Sequence, residues 1–429
     1  MAGVGKRLLH CSAAPVVCAL AALWATPASA ESSLKLFSPD TFELIGDVRL
    51  VAVNGEKSWV DGGFGKLRSS GGGEDFRVRP QLGNVNLIWQ PQFTWSLSAV
   101  IVGSLQGGKR TEAGLSQTYL SFKPMRGSKI AFSARAGLMF PPVSLEHEGA
   151  DWHVKDSITP SAINSWIGEE VRPVALEGTL AANLGRHKLR ATAALFAAND
   201  TSGTLLTFRG WALHDRTTLA FRHQPLPPLD AEIAGYQAPF THPLLDVGPG
   251  FARRPGYYAK LAWQPPIPVR FELFRYDNRA NPEDVNADLE WGWRTEFNQV
   301  GLVADLGSAT DLKLQAIDGR TRMGFGDAGR RWIDDRFRSA FVLLTHSFGS
   351  FGIAARAEAF DTRNRGSDVG SEYDDTGWSA MLAAKRDWGR VTGLVELLHV
   401  SSRRENREEV GLKPGQRQTQ VKAEARIRW

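Results

Sequence analysis

The C-terminal stretch from Gln418 to Trp429 constrains the fold more than any other part of the sequence. Apolar residues occupy every second position, and charged residues occupy the positions between them. The apolar set is Val421, Ala423, Ala425, Ile427 and Trp429, and the charged set is Lys422, Glu424, Arg426 and Arg428. Alternation with a period of two describes a β-strand with one apolar face and one face in water. The stretch therefore predicts a two-faced strand that finishes on an aromatic residue.

The N-terminal residues have the features of an export signal. Lys6 and Arg7 precede an apolar run from Ala13 to Trp24, which is followed by the small residues Ala28-Ser29-Ala30. A basic segment, a short apolar run and a small-residue cleavage site in this order are typical of a secretory signal peptide. We therefore expect residues 1–30 to be removed and residues 31–429 to form the mature protein.

Cysteine content and charge exclude several classes of protein. Both cysteines, Cys11 and Cys18, lie in the predicted signal, so we expect no disulfide and no thiolate metal site in the mature chain. Without Lys6 and Arg7 the chain has 49 basic and 46 acidic side chains. This near balance gives no reason to expect nucleic-acid binding. We expect no cofactor and no metal ion.

Two-faced segments recur along the whole mature sequence, and Phe93–Ser104 is the clearest of them. No mature segment is apolar enough to cross a bilayer as a helix, so a membrane-inserted chain must close its backbone hydrogen bonds as a barrel. Short turns and long loops alternate between about 16 segments, with about 14 or 18 as alternatives, which is typical of bacterial barrels. We predict an all-β fold, a transmembrane antiparallel β-barrel with short periplasmic turns and long extracellular loops.

Aromatic residues lie beside the predicted short turns. The set is Trp89, Phe93, Trp95, Trp263, Phe348, Phe351, Trp388 and Trp429. Membrane barrels carry aromatic girdles at both interfaces, where a ring is half in lipid and half in water. The alternative is a soluble β-sandwich or propeller, whose aromatic residues would fill a core and need not lie next to every short turn.

The charged face of each strand is predicted to line the lumen, because an Arg or Lys facing lipid at mid-depth costs about 2–4 kcal/mol. Basic residues outnumber acidic residues on this face roughly two to one. Arg49, Arg356 and Lys422 are examples of the basic residues. A positively biased pore wall favours anions over cations. In the alternative interpretation, residues of both signs pair across the lumen and leave little selectivity.

The strand number, the mature length and the basic lumen make the chain resemble the phosphate-selective porin O/P-like family of Gram-negative outer membranes. Locally the resemblance depends on Ala136–Pro142, on Ile158–Ile163 and on the C-terminal strand. It implies a 16-stranded barrel, a homotrimer in outer-membrane lipid, and passive diffusion of small anionic solutes. It also implies an inward-folded constriction loop, for which residues 141–170 are in the right place. Residues 199–255 are expected to form a long extracellular loop.

The candidate anion contacts are basic residues of the predicted lumen. Lys129, Arg135 and Arg190 flank the candidate constriction loop, and Lys155 lies within it. The set is completed by Arg77, Arg79 and Lys123. In the alternative interpretation each of these cations pairs with an acidic neighbour, such as Glu146 or Glu177.

Two other functions are compatible with the barrel. An outer-membrane enzyme is one, although the sequence has no Gly-x-Ser-x-Gly nucleophile motif. The segment His147–Asp151 differs from the zinc-protease pattern because its last position is Asp where the pattern requires His. A structural or adhesive barrel without transport is the other. We expect a porin with no catalytic residues.

Overall fold

The alternating segments form sixteen antiparallel strands in a computed structural model, which describes residues 34–108, 111–124, 129–248, 254–327 and 330–429. The first eight are β1 (Phe42–Gly55), β2 (Gly73–Trp89), β3 (Leu97–Gln106), β4 (Glu112–Phe122), β5 (Ile130–Leu138), β6 (Val174–Leu184), β7 (His187–Ala197) and β8 (Gly256–Gln264). The others are β9 (Val269–Asp277), β10 (Arg294–Asp305), β11 (Thr310–Asp327), β12 (Arg330–Phe348), β13 (Phe351–Asn364), β14 (Asp375–Trp388), β15 (Val391–Arg403) and β16 (Gly415–Arg428). The predicted signal peptide, residues 1–30, lies outside the described residues.

Each strand pairs with its neighbours along the chain, and β1 pairs with β16 to close the barrel. At this seam Arg49 lies opposite Glu424, and Val48 lies opposite Ala425. The backbone of Trp429 exchanges two hydrogen bonds with that of Leu44, at 2.8 and 3.0 Å. The predicted closed antiparallel barrel is therefore confirmed, and its strand number is sixteen.

The outer surface of the barrel carries a belt of exposed apolar side chains. The side chains of Ile130 and Phe132 are 58% and 47% exposed, and Trp95 and Ile427 also face outward. The predicted strand beginning at Phe93 is too long, because β3 begins at Leu97. The hydroxyl oxygen of Thr94 accepts a hydrogen bond from the backbone N–H of Leu97 at 3.0 Å and bends the chain into a turn.

Three of the short connections are two-residue turns that begin with glycine, at Gly185, Gly349 and Gly389. Their φ angles are 62°, 66° and 71°. Tight hairpin turns need a left-handed backbone, which glycine adopts without steric strain. These positions explain why the reversals are sharp at one end of the barrel.

The long connections at the opposite end contain most of the remaining regular elements. The helices are α1 (Ala162–Glu170) and α2 (Thr204–Phe208), and short 3-10 helices cover Trp59–Asp61, Ile233–Gly235, Ser371–Tyr373 and Glu405–Val410. A further 3-10 helix, Pro39–Thr41, precedes β1 at the short-turn end. Two small sheets pair His147–Glu148 with His153–Val154 and Gln224–Pro225 with Phe240–Thr241. No helix among the described residues is long and apolar enough to cross a membrane.

Strands β11 and β12 are much longer than the alternation of apolar residues suggests. They contain 18 and 19 residues, whereas apolar outward positions stop near Ala316 and Ala340. Beyond these positions the outward residues of β11 are Asp318, Arg320 and Arg322. The hairpin therefore continues past the apolar belt, and its outward face becomes charged.

Candidate functional site in the barrel interior

The interior is filled by two segments of the long connections, one around α1 and one around α2. All nine residues of α1 are buried. The indole of Trp166 packs against the rings of Phe297, Phe337 and Trp211, with ring centroids 5.4, 5.1 and 6.1 Å apart. Phe297 and Phe337 belong to the wall, whereas Trp211 follows α2. We call residues 139–173 the first inner segment and residues 199–220 the second inner segment.

Charged wall residues attach the first inner segment. The Arg356 guanidinium lies 2.8 Å from a Glu146 carboxylate oxygen and donates to the Thr159 and Pro160 carbonyl oxygens at 2.9 Å each. Glu396 accepts hydrogen bonds from the backbone N–H groups of Ile158 and Thr159, at 2.7 and 2.8 Å. Hydrogen bonds to charged groups are about twice as strong as neutral ones. Two wall strands, β13 and β15, therefore hold this segment at its centre.

Other basic residues of the wall also bond to the first inner segment. Lys385 and Lys313 lie 2.7 and 3.9 Å from the Asp156 carboxylate. Arg426 donates to the Val154 carbonyl oxygen at 2.9 Å. Part of the basic excess on the strands is therefore matched by acceptors of the segment they surround.

The second inner segment meets α1 through two adjacent carboxylates. Glu169 forms a bidentate pair with Arg209, at 2.8 and 2.6 Å. Burial opposes ionisation of Glu169, but the Arg209 guanidinium and His214 lower its pKa to about 2. Burial raises the pKa of Glu170 to about 7, despite hydrogen bonds donated by the Trp166 indole and by two backbone N–H groups. The pKa of Glu169 therefore lies below the ordinary value of a glutamate, whereas the pKa of its neighbour Glu170 lies above it.

Polar and charged side chains line the interior on the side formed by strands β1 to β4. Arg49 lies 2.6 Å from Asp47, 2.6 Å from Asp215 of the second inner segment and 2.8 Å from Glu424. A cavity of about 50 Å³ adjoins this cluster, and a cavity of about 270 Å³ lies toward the long loops. The larger cavity is lined in part by Arg68. Water-sized spaces therefore lie along this side of the interior.

A large interior cavity, about 910 Å³, lies at the short-turn end between β4 and β9. We call it the vestibule. Its cationic lining residues are Lys123, Lys129, Arg135, Lys188, Arg190, Lys260 and Arg270, and its acids are Glu177 and Glu272. The wall is therefore strongly basic at this one place.

Some of the vestibule cations are paired and others are not. Arg135 binds Glu177 through two hydrogen bonds, at 2.7 and 2.8 Å. Lys260 and Arg270 share Glu272, at 2.7 and 2.8 Å. Four cations have no carboxylate within ion-pair distance among the described residues, namely Lys123, Lys129, Lys188 and Arg190. These four give the vestibule its positive potential.

The seven predicted anion contacts divide into two groups. The structure brings together Lys123, Lys129, Arg135 and Arg190 in the vestibule. Lys155 is exposed and lies 3.6 Å from the Glu148 carboxylate, away from the vestibule lining. Arg77 and Arg79 are at the long-loop end, where Arg79 donates to the Ser70 carbonyl oxygen at 2.6 Å.

Lys188 is a vestibule cation that the sequence prediction missed. It follows the two-residue turn at Gly185, and it faces the same side of β7 as Arg190. The same period of two that selected Arg190 could have found it. Among the residues that the structure describes, no group of three or more His, Cys, Asp or Glu side chains is placed to hold a metal ion.

Solved structures with a similar fold include the outer membrane channel DcaP of Acinetobacter baumannii. It is 11% identical, with a TM-score of 0.54, over 91% of this chain and 99% of DcaP. A loop L8 deletion mutant of OmpT, an outer membrane protein of Vibrio cholerae, is 7% identical with a TM-score of 0.48, over 91% of this chain and 99% of OmpT. A mutant porin of Rh. blastica is 9% identical with a TM-score of 0.38, over 90% and 100% of the two chains. No protein-family model and no curated protein matches the sequence.

At these identities the likeness concerns the fold alone. A closed antiparallel barrel with an apolar outer band is the architecture of bacterial outer-membrane proteins. The predicted location in the outer membrane of a Gram-negative bacterium is therefore confirmed by the fold, and the short turns face the periplasm.

Proposed function

We propose that this protein is an outer-membrane channel for passive diffusion of small solutes, and that it prefers anions. The observation that carries the proposal is the vestibule, a cavity of about 910 Å³ with four unpaired cations among the described residues. DcaP, which has a similar fold, is described as an outer membrane channel. This supports a channel over an enzyme.

Selectivity is proposed to arise at the periplasmic mouth. Cations in a cleft with low-dielectric walls raise the local concentration of anions. Lys123, Lys129, Lys188 and Arg190 are exposed, so solutes can reach their charges. The first inner segment, which includes the predicted constriction loop 141–170, would then limit the size of the solutes that pass.

The test is ion selectivity in planar bilayers. Under a potassium chloride gradient, the native protein should give a reversal potential with the sign of anion preference. The variant Lys123→Gln/Lys129→Gln/Lys188→Gln/Arg190→Gln should conduct with a reversal potential shifted toward cations. A matched variant with four exposed cations outside the vestibule changed to Gln, at Arg365, Arg386, Lys413 and Arg417, should behave as native. Cation preference in the native protein would refute the anion assignment.

Phosphate selectivity and a homotrimer are the finer parts of the proposal. They come from the resemblance to phosphate-selective porins, which depends on segments such as Ala136–Pro142. Added phosphate should compete with chloride and reduce the chloride current in the native protein. Native mass spectrometry should give a mass of three chains. An unchanged chloride current would refute phosphate selectivity. A mass of one chain would refute the homotrimer.

A barrel without transport is the second candidate. The packing of Trp166 against both the wall and the second inner segment favours it, because this core spans the interior. Folded protein in bilayers would then show no conductance. Conductance that is lost when a bulky anion enters from the periplasmic side would favour the channel.

A further inference from the structure

A cluster of arginines and carboxylates faces outward on strands β9 to β12, near the long-loop end. Asp318 of β11 binds Arg336 at 3.0 Å and Arg338 at 2.9 Å, both on β12. Glu296 of β10 binds Arg322 of β11 at 2.9 Å and also binds Arg275 of β9. Each carboxylate therefore serves two guanidinium groups. We call these six residues the arginine patch.

The arginine patch has the charge and the unused donors to bind an anion. Two arginines around one carboxylate leave each group of three with a formal charge of +1. A guanidinium has five N–H donors, and Arg338 uses its Nε–H to bind Asp318. The side chains of Arg336, Arg338 and Asp318 are about half exposed, at 50%, 50% and 51%. Phosphate and carboxylate groups are the partners that arginine binds best.

The height of the arginine patch matches the headgroup region of the outer leaflet. Phe348 and Phe351 mark the apolar belt at the short-turn end of β12 and β13. Arg338 lies ten residues above Phe348 on β12. At about 3.4 Å per residue and a tilt of about 40°, this is about 26 Å along the membrane normal, against an apolar band about 25 Å tall.

An apolar cavity of about 760 Å³ adjoins the arginine patch on the outer surface. Its outward lining includes Phe132, Leu180, Ala191, Ala193, Ala259, Leu261, Leu273 and Val300. Arg275, which belongs to the arginine patch, and Asn298 also line the cavity. The polar rim of the cavity therefore includes a residue of the patch. In the strand register, Ala193, Ala259, Arg275, Asn298, Asp318 and Arg338 follow one another across the sheet.

We propose that this outer surface is a binding site for a phosphate-bearing lipid of the outer leaflet. An acyl chain occupies the apolar cavity, and the phosphate accepts hydrogen bonds from guanidinium groups of the arginine patch. Basic clusters at the edge of the bilayer recognise anionic headgroups in this way. On other strands, outward residues near the long-loop end include the apolar Val78, Leu176 and Trp378 as well as the cation Arg403. The apolar cavity and the arginine patch lie together on the consecutive strands β5 to β12.

The test is lipid binding by native mass spectrometry of the full chain in detergent, with lipid A bisphosphate and its dephosphorylated form as probes. The native protein should bind the phosphorylated lipid saturably and at least about tenfold more tightly than the dephosphorylated form. The triple variant Arg336→Gln/Asp318→Asn/Arg338→Gln neutralises Asp318 together with the two arginines that bind it, so none of the three is left as an unpaired charge. It should lose this preference. The variant Ala259→Phe, which fills the cavity, should weaken binding of both lipids.

The matched control is Arg403→Gln/Glu405→Gln, which neutralises an exposed pair with a 2.7 Å contact outside the arginine patch. It should bind the lipid as the native protein does. Equal binding of the two lipids by the native protein, or full binding by the triple variant, would overturn the proposal. A change in the number of chains per particle on neutralising the patch would instead make it an interface between copies and would also overturn it. Heat-modifiable migration on gels verifies that each variant is folded.

Discussion

Replacing Glu396 by alanine should release the first inner segment while the barrel stays closed. The Glu396 carboxylate accepts three hydrogen bonds, from the N–H groups of Ile158 and Thr159 and from the Thr159 hydroxyl, at 2.7, 2.8 and 2.6 Å. The same hydroxyl accepts a hydrogen bond from Lys422 at 2.9 Å. Glu396→Ala therefore leaves two buried N–H groups without their acceptor and removes one of the carboxylates, with Asp215, that act on the buried Lys422.

The expected effect follows from these contacts. A hydrogen bond to a charged group contributes about 1.5–3 kcal/mol, and removing one partner of a buried charged contact costs about 3–5 kcal/mol. Because every 1.4 kcal/mol corresponds to a factor of ten, a cost of about 3–5 kcal/mol should make local opening around Ile158 and Thr159 about 100- to 4,000-fold more frequent. The sixteen-stranded ladder does not depend on this contact, so global unfolding should be little affected.

Hydrogen exchange measured by mass spectrometry on peptides covering residues 156–162 is the assay. Glu396→Gln keeps one acceptor oxygen and should give an intermediate loss of protection. The control Glu405→Ala changes an exposed carboxylate on a long loop and should leave these amides protected. Native-like protection in Glu396→Ala would show that the wall carboxylate does not hold the segment. If the segment restricts passage, single-channel conductance should rise in the same variant.

Three further predictions concern packing, pH and orientation. Trp166→Ala removes a fully buried indole and should cost about 3–5 kcal/mol, seen as faster limited proteolysis of the inner segments. Burial raises the pKa of Glu170 to about 7 from its ordinary value of 4.5, so its stabilising contribution is full below the ordinary value and is lost as pH rises through about 7. The midpoint of heat unfolding should therefore fall over that range less in Glu170→Gln than in the native protein, and equal slopes would contradict this. Leu382→Arg places a charge on the outer face, where the native side chain is 60% exposed, and should cost about 2–4 kcal/mol in urea titrations of vesicle-inserted protein. An unchanged midpoint would show that this face does not contact lipid.

The architecture could be predicted from the sequence because the strand pattern is local. On β1, Leu44, Val48 and Leu50 face outward and Asp47 and Arg49 face inward, as their alternation indicates. Each short turn needs only a few residues, such as the glycine at Gly349. Closure then follows from the need to satisfy every backbone group in lipid.

The filled interior could not be predicted in the same way, because it depends on contacts between distant segments. Phe337, Phe341 and Leu343 face inward on β12, so this strand is apolar on both sides. That departure from alternation was the available signal that the lumen holds a packed core. Nothing local to Arg356 indicates that it pairs with Glu146, which is 210 positions away in the sequence.

The candidate site was only partly predictable for a related reason. The period of two assigns a side chain to the lumen but gives neither its height nor its partner. It therefore grouped Arg79, near the long loops, with Lys129, near the short turns. It also could not show that Arg135 is neutralised by Glu177 on the adjacent strand.

The cluster at Arg49 links the order of assembly to the contents of the barrel. Its three carboxylates come from β1 itself, from β16 and from Asp215 of the second inner segment. The first and last strands thus meet over a guanidinium that also requires a residue from the middle of the chain. If β1 and β16 paired while the barrel was still empty, the Arg49 guanidinium would be buried without Asp215, and the second inner segment would be left outside the barrel. During biogenesis the inner segments should therefore enter the barrel before β1 pairs with β16. Packing of the interior and closure of the barrel would then be one cooperative step.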